Sequence, residues 1–276
     1  MTTPKTGREA ERLVDVIEAQ ACADLYAAAP PTMSARAREE GGVTVLCIPS
    51  VPVSYFNRVI GLGNAASASA ADLDRIAAGY SAAGVAEYWI HVSPGARPAE
   101  LPAMLAARGF APPPRRSWSK FLRSTSVPPV VHAELSIRMA VAEDAESVAQ
   151  VVTTAYGIPP ALAPWFCSLV GRPRWQVWVA ERDGLIVATG SLYIAGLYGW
   201  LGVGATLAEQ RGRGAQSCLL AARIRAAREA GCELVATETG DPIGDEKNQS
   251  LANIRRAGFE LVCSRLNYAA PTRIGN

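Results

Sequence analysis

The chain has 276 residues, of which 49% are hydrophobic and 19% charged, and 27 basic against 25 acidic side chains leave a net charge of +2. That length fills two medium domains or one large one, and the balance excludes a disordered chain. A charge so close to neutrality, without a long arginine run, argues against nucleic-acid binding.

No apolar run approaches the roughly 18 residues of a membrane span. The start, MTTPKTGREAERLVDVIEAQ, is polar and charged where a signal peptide would be apolar. The expectation is a cytoplasmic protein with no membrane partner. Cys22, Cys47, Cys167, Cys218, Cys232 and Cys263 form no C-x-x-C pair and sit mostly among apolar neighbours, so they read as buried free thiols. His91 and His132 belong to no metal-spaced cluster, which leaves no metal site and little material for a Ser-His-Asp triad.

In chain order, the first segment predicts a helix over residues 9–28, strands at VTVLCIP and FNRVIGLG, and a helix at AADLDRIAAGYSAAG. A strand at AEYWIHVS, a short helix at ELPAMLAARGF and a strand at RSWSKFLRS follow. STSVPPVVHAEL then breaks the periodicity with a Pro-Pro pair, setting a linker near residues 127–133 between domains 1–126 and 134–276. The second domain opens with the alternating strand of ELSIRMA and a helix that Glu143 and Asp144 favour at its N-terminus. A helix at PALAPWFCSLVG precedes WQVWVAERDG and LIVATGSLYIAG, which read as a hairpin joined at an Asp-Gly turn. LYGWLGVGATL is a third strand, AQSCLLAARIRAAREAG a long helix, CELVATET a strand, SLANIRRAGF a short helix and ELVCSRLNYAA the last strand. The order is β-α-α-β-β-β-α-β-α-β, and the first segment repeats parts of it as an internal repeat of about 130 residues.

Between the third strand and the long helix runs AEQRGRGAQ. Gly212 and Gly214 let a ligand approach bare main chain. A helix N-terminus behind them offers unpaired amides and a partial positive charge suited to phosphate, to which Arg211 and Arg213 add charged donors. A solvated arginine-glycine turn is the alternative. Along the strand, Leu197, Leu201, Val203, Ala205 and Leu207 fall on one face and Tyr198, Trp200, Gly202, Gly204 and Thr206 on the other. The glycines on that second face suit either a thin extended ligand or a closely packed helix.

The strand, the RGRGAQ turn, the long helix, CELVATET and NQSLANIRRAGF together resemble the acyl-CoA N-acyltransferases of the GNAT superfamily. The family's loop has the pattern [QR]-x-x-G-x-[GA]; residues 211–215 match its first five positions, and Gln216 departs at the sixth. The resemblance covers roughly residues 134–268 and implies an α/β fold of two tandem GNAT-like domains. Each would be a mostly antiparallel mixed sheet with a splayed parallel strand pair, flanked by helices. It further implies acetyl-CoA as cosubstrate, with the pyrophosphate held by Arg211, Gly212, Arg213, Gly214, Ala215, Gln216 and Ser217. Gly204, Ala205 and Thr206 would pair with the pantetheine arm, and Asn248 matches a polar position that often touches the cofactor. The tandem arrangement is similar to that of mycothiol synthase, whose C-terminal half is catalytic. The first domain lacks the loop and reads as a degenerate half.

Acyl transfer to an amine needs a base, a donor for the thioester oxygen and an acid for the thiolate. Family members often place a tyrosine four residues before the glycine of the Gly-Phe pair, where this chain has Ile254, and a glutamate on the strand before the loop, where it offers Tyr198 and Trp200. Glu238, at the end of CELVATET, is the first candidate base, with a partner role for Arg255 or Arg256 as the alternative. Tyr198 is the candidate proton donor, followed by Tyr193 and Tyr156. Arg223 falls on the apolar face of the long helix, where it would snorkel or meet a carboxylate of the other half. Trp165, Phe166, Trp175, Trp178 and Trp200 are core residues or the lining of an acceptor pocket. The partner implied is a small-molecule amine, and monomer and homodimer both stay open. A non-catalytic acyl-CoA-binding protein is the rival reading.

Overall fold

In the computed structural model, residues 7–51, 53–131 and 134–271 are described; His132 and Ala133, in the expected linker, lie outside them. The first series of elements is α1 Arg8–Ala27, β1 Arg36–Glu40, β2 Val43–Cys47, β3 Arg58–Ile60, α2 Ala70–Ala82, β4 Trp89–Val92, α3 Leu101–Ala106 and β5 Ser117–Ser124. The second is β6 Ser136–Met139, α4 Ala145–Tyr156, α5 Ala163–Cys167, β7 Trp175–Arg182, β8 Leu185–Ala195, β9 Tyr198–Thr206, α6 Ala215–Glu229, β10 Leu234–Gly240, α7 Gln249–Arg256 and β11 Glu260–Ala269. This second series follows the predicted order element by element. β1 was not expected: all five residues of RAREE are exposed, so the segment carries no apolar alternation to betray a strand.

Two compact units interleave in sequence. A C-terminal unit holds residues 121–238 and 248–260, and an N-terminal unit holds residues 7–120, 239–247 and 261–271. Each has a mixed sheet with one parallel strand pair, flanked by helices, as the sequence implies.

In the N-terminal unit the strand order is β1-β2-β3-β4-β11, with β3 and β4 parallel and the other pairs antiparallel. Leu73, Ile76 and Tyr80 of α2 pack against Val59 and Ile90 of the sheet. Helix α1 instead buries two carboxylates. Arg265 donates to Asp15 Oδ1 and Glu18 Oε2, both at 2.7 Å, Lys120 donates to Glu18 at 2.6 Å, and Arg58 lies 3.4 Å from Glu18. Three cations thus face two carboxylates. Burial, reinforced by the Arg265 charge, lowers the Lys120 pKa to about 8. His91 Nδ1 sits 2.6 Å from Arg265 Nη2, and burial holds its pKa well below the usual value, so the ring is a neutral core group.

In the C-terminal unit the order is β10-β9-β8-β7-β6, with β9 and β10 parallel and the rest antiparallel. The β7–β8 hairpin turns at Asp183 and Gly184, both at positive φ (52° and 75°), the backbone that an Asp-Gly turn favours. Helix α6 lays Leu220, Ile224, Ala226 and Ala227 on Leu192, Leu201 and Val235. All six cysteines are free, and all but Cys167 are buried. Among the described residues, no helix is long and apolar enough to cross a membrane, and no group of acidic, His or Cys side chains is arranged to hold a metal ion.

Candidate functional site

β9 and β10 pair in parallel from Tyr198↔Leu234 to Leu201↔Thr237, where the Thr237 hydroxyl donates to the Leu201 carbonyl at 2.8 Å. Past that pair the β9–β10 ladder ends. Gly202 still faces Ser191 of β8, but Ala205 faces Thr189, so β9 carries an extra residue there, and Val203 adopts a φ of 48°. This is a β-bulge, which bends its strand and re-aims side chains. It also reverses the face alternation. Leu201 packs with Leu220 and Ile224 of α6, yet Thr206 pairs with Ala188, which packs with Ala215 and Leu219 on the same side. The predicted common face for Trp200, Gly202, Gly204 and Thr206 is therefore corrected: period-two reasoning fails across an inserted residue.

The glycines of β9 also differ from one another. A Cβ on Gly202 would strike the Trp200 ring at 1.9 Å, so Trp200 lies across that glycine. At Gly204 the space is open, and a Cβ would meet only Arg223 Nη2, at 3.9 Å. The Gly204 carbonyl accepts from the Tyr156 hydroxyl at 3.0 Å. Tyr156 is 47% exposed overall, but the desolvation of its hydroxyl pushes its pKa up to about 12, with the Arg223 charge opposing.

After β9 the chain makes a short 3-10 turn and enters the glycine loop. Arg211, Gly212 and Arg213 are exposed, and nothing lies within 4 Å of a Cβ built on Gly212. Gly214 is the N-cap of α6 at φ 87°, and no side chain caps the helix. Cys218 N bonds to Gly214 O at 3.0 Å, so Ala215, Gln216 and Ser217 contribute the unpaired amides that a helix start must leave. Gln216 turns its side chain away from the loop toward α7: its Nε2 donates to Ser250 Oγ at 2.9 Å, and its Oε1 accepts from Asn253 Nδ2. Asn248 caps α7, accepting from Leu251 N at 2.9 Å. Sequence reasoning did not single out Ser250 and Asn253. Their signal was the polar, short-chained face of QSLANIRR opposite a motif position that is no longer small.

Glu238 is half-buried and is the first residue of β10 beyond the last pair with β9. Tyr198 is at the opposite end of β9, beside Leu234, eight residues or about 26 Å of extended strand from Thr206. The structure thus gathers Gly204 to Thr206 and residues 211–217 at one end of β9 and does not bring Tyr198 to them. Ile254, in the usual tyrosine position, is buried with Ala257 and Phe259.

Arg223 is 3% exposed and meets main-chain carbonyls where a carboxylate was an alternative: Leu219 O at 3.0 Å, Ser191 O at 3.1 Å and Gly202 O at 3.3 Å. Burial lowers its pKa to about 10, so it remains a cation at neutral pH. Tyr193 is core, edging Trp175 with Arg174 over its ring. Trp165, Phe166, Trp175 and Trp200 are buried as well, and only Trp178 is half-buried, so these rings belong to packing.

The corresponding position of the N-terminal unit is built differently. Its β3–α2 connection ends in a capping box, Ser69 accepting from Asp72 N and Asp72 from Ser69 N, which uses up amides and places a carboxylate at the helix start. Gly63 is covered by the main chain of Arg97, which bonds to the Gly63 carbonyl at 2.9 Å.

Among solved structures, a GCN5-related N-acetyltransferase from Kribbella flavida aligns over 92% of this chain and 96% of its own, with 20% identity and a TM-score of 0.64. One from Sphaerobacter thermophilus aligns over 95% of both chains, with 16% identity and a TM-score of 0.63. A tandem GNAT protein from the clavulanic acid biosynthesis pathway covers 85% of this chain and 79% of its own, with 18% identity and a TM-score of 0.60. No family model matches the chain, and no curated protein matches it. At these identities the likeness is one of fold: the chain has the tandem GNAT fold.

Proposed function

We propose that the chain is a cytoplasmic N-acetyltransferase that moves the acetyl group of acetyl-CoA to a primary amine of a small molecule, by direct transfer within a ternary complex. One observation carries the reading. An uncapped helix start with exposed arginines and glycines follows a bulged strand that has just parted from its parallel neighbour, beside a carboxylate. The amides of residues 212–217 and the helix dipole suit the pyrophosphate, with Arg211 and Arg213 adding charge. The main chain of Gly204 to Thr206 suits an extended pantetheine arm, and Asn248, at the start of α7, closes the set.

In the reaction the amine nitrogen bonds to the thioester carbon and the carbon–sulfur bond breaks. The ammonium proton leaves to Glu238, directly or through water, and the departing thiolate takes a proton. That second transfer falls to Tyr156, whose hydroxyl donates to the Gly204 carbonyl, and not to Tyr198, which stands at the other end of β9.

Calorimetric titration of acetyl-CoA tests the reading. One site per chain is expected, abolished in Gly214→Glu, whose carboxylate would repel the pyrophosphate; no binding by the wild type would refute it. The replacement of the usual tyrosine by buried Ile254 favours a second reading, a non-catalytic acyl-CoA-binding protein. Tight binding without release of CoA thiol across a broad amine panel would decide for that alternative.

A further inference from the structure

Buried cations are ordinarily matched by carboxylates, because the interior does not replace the water they lose. Arg223 breaks that pattern within the C-terminal unit. It is 3% exposed, and its bonds to described residues go to three main-chain carbonyls through Nε and Nη1. A Cβ on Gly190 would lie 2.6 Å from its Cζ, so a glycine in β8 makes room for the guanidinium. Nη2 is left over. It points at Gly204, where nothing else stands within 4 Å of a Cβ position, and Gly204 is exposed. Two glycines thus frame this cation: one admits it to the sheet, and the other leaves an opening in front of its unused donor.

We propose that Arg223 Nη2 donates a hydrogen bond to the carbonyl oxygen of an acyl thioester lying along β9 at Gly204. The inference rests on the acyltransferase reading and adds to it a named donor for the oxygen on which negative charge builds. A carbonyl dipole suits the opening because the guanidinium is already pinned by Leu219, Ser191 and Gly202, so its charge needs no reorganisation when the oxygen becomes anionic. The contacts to Ser191 and Gly202 span the two strands at the bulge, so the same side chain fixes the main chain along which the thioester would lie.

The test uses acetyl-CoA labelled with carbon-13 at the acetyl carbonyl, observed by NMR on the full chain. Wild type is expected to move the carbonyl resonance downfield on binding. Arg223→Met is expected to lose more than about half of that shift and at least about tenfold in kcat, while affinity for CoA, which lacks the carbonyl, stays within about threefold. Gly204→Ala provides a second route if the first variant does not fold. It keeps every Arg223 contact but places a methyl in the opening, and it should also suppress the shift. A full shift in either folded variant, or no shift in wild type that binds acetyl-CoA, overturns the inference alone. Failure of wild type to bind CoA or acetyl-CoA overturns the acyltransferase reading and the inference with it.

Discussion

Asn253 Nδ2 donates to Gln216 Oε1, joining the first turn of α6 to the middle of α7. Gln216 stands where the loop pattern calls for Gly or Ala, and the structure gives it a partner on each side of its amide, Asn253 and Ser250. The departure therefore exchanges a small residue for a tie between two helices and leaves the loop amides alone. Gln216→Ala should cost about 1–2 kcal/mol of stability through the two lost hydrogen bonds. Acetyl-CoA affinity should change by less than about threefold, since in the proposed function the main chain would do the binding. Denaturant unfolding and calorimetry measure the two; a loss of affinity beyond tenfold would mean that the side chain itself holds the cofactor.

The loop, its helix and the element order of the second segment were legible because each rests on local chemistry: paired glycines, an Asp-Gly turn, and period-two and period-3.6 patterns. The bulge was not, since Val203 is an unremarkable strand residue in sequence and its positive φ arises from pairing with β8. Face assignments beyond Val203 inverted with it. The hydroxyl of Tyr156 at Gly204 and the carbonyl contacts of Arg223 depend on partners 48, 32 and 21 residues away, beyond the reach of any window. β1 escaped for the opposite reason, because an exposed charged strand has no pattern to read.

Glu238 occupies the first β10 position past the Leu201–Thr237 pair, where β10 parts from β9. Replacing it by Gln keeps its size and removes its capacity to accept a proton. If Glu238 is the base, kcat at neutral pH should fall at least about tenfold with acetyl-CoA affinity retained. A variant with unchanged rate and unchanged pH profile would dismiss Glu238 and leave water as the acceptor.

The thiols give stability a pH dependence whose sign can be worked out. Burial pushes Cys22 up to about 11 and Cys263 up to about 12, and raises Cys47, Cys167, Cys218 and Cys232 as well. An unfolded thiol ionises near pH 8.5, so above that the unfolded chain holds fewer protons than the folded one, and stability drops as pH rises. Lys120 acts oppositely. Its folded pKa of about 8 lies below that of a free lysine, so its neutral folded form gains stability as pH climbs toward about 10.4. Six thiols against one ammonium predict a net fall in the urea midpoint between pH 8 and 10 under reducing conditions, and Lys120→Met should steepen it. A midpoint that rises over this range would contradict the burial of the thiols.

Asp15 staples the N-terminal unit at the point where its own parallel strands end. Its Oδ2 accepts from Asn64, four residues past β3, and from Ser93, the first residue past β4, while its Oδ1 accepts from Arg265 at 2.7 Å. With Gly63 covered by Arg97 and the helix start capped by Ser69 and Asp72, fewer amides are open there and the Asp72 carboxylate repels a pyrophosphate. Asp15→Ala should therefore cost about 3–5 kcal/mol, because it leaves Arg265 in a cluster with one carboxylate fewer. It should not create a second acetyl-CoA site. Calorimetric stoichiometry on the folded fraction distinguishes the cases: one site in both proteins is the expected result, and two in the variant would show that Asp15 alone had closed a working cleft.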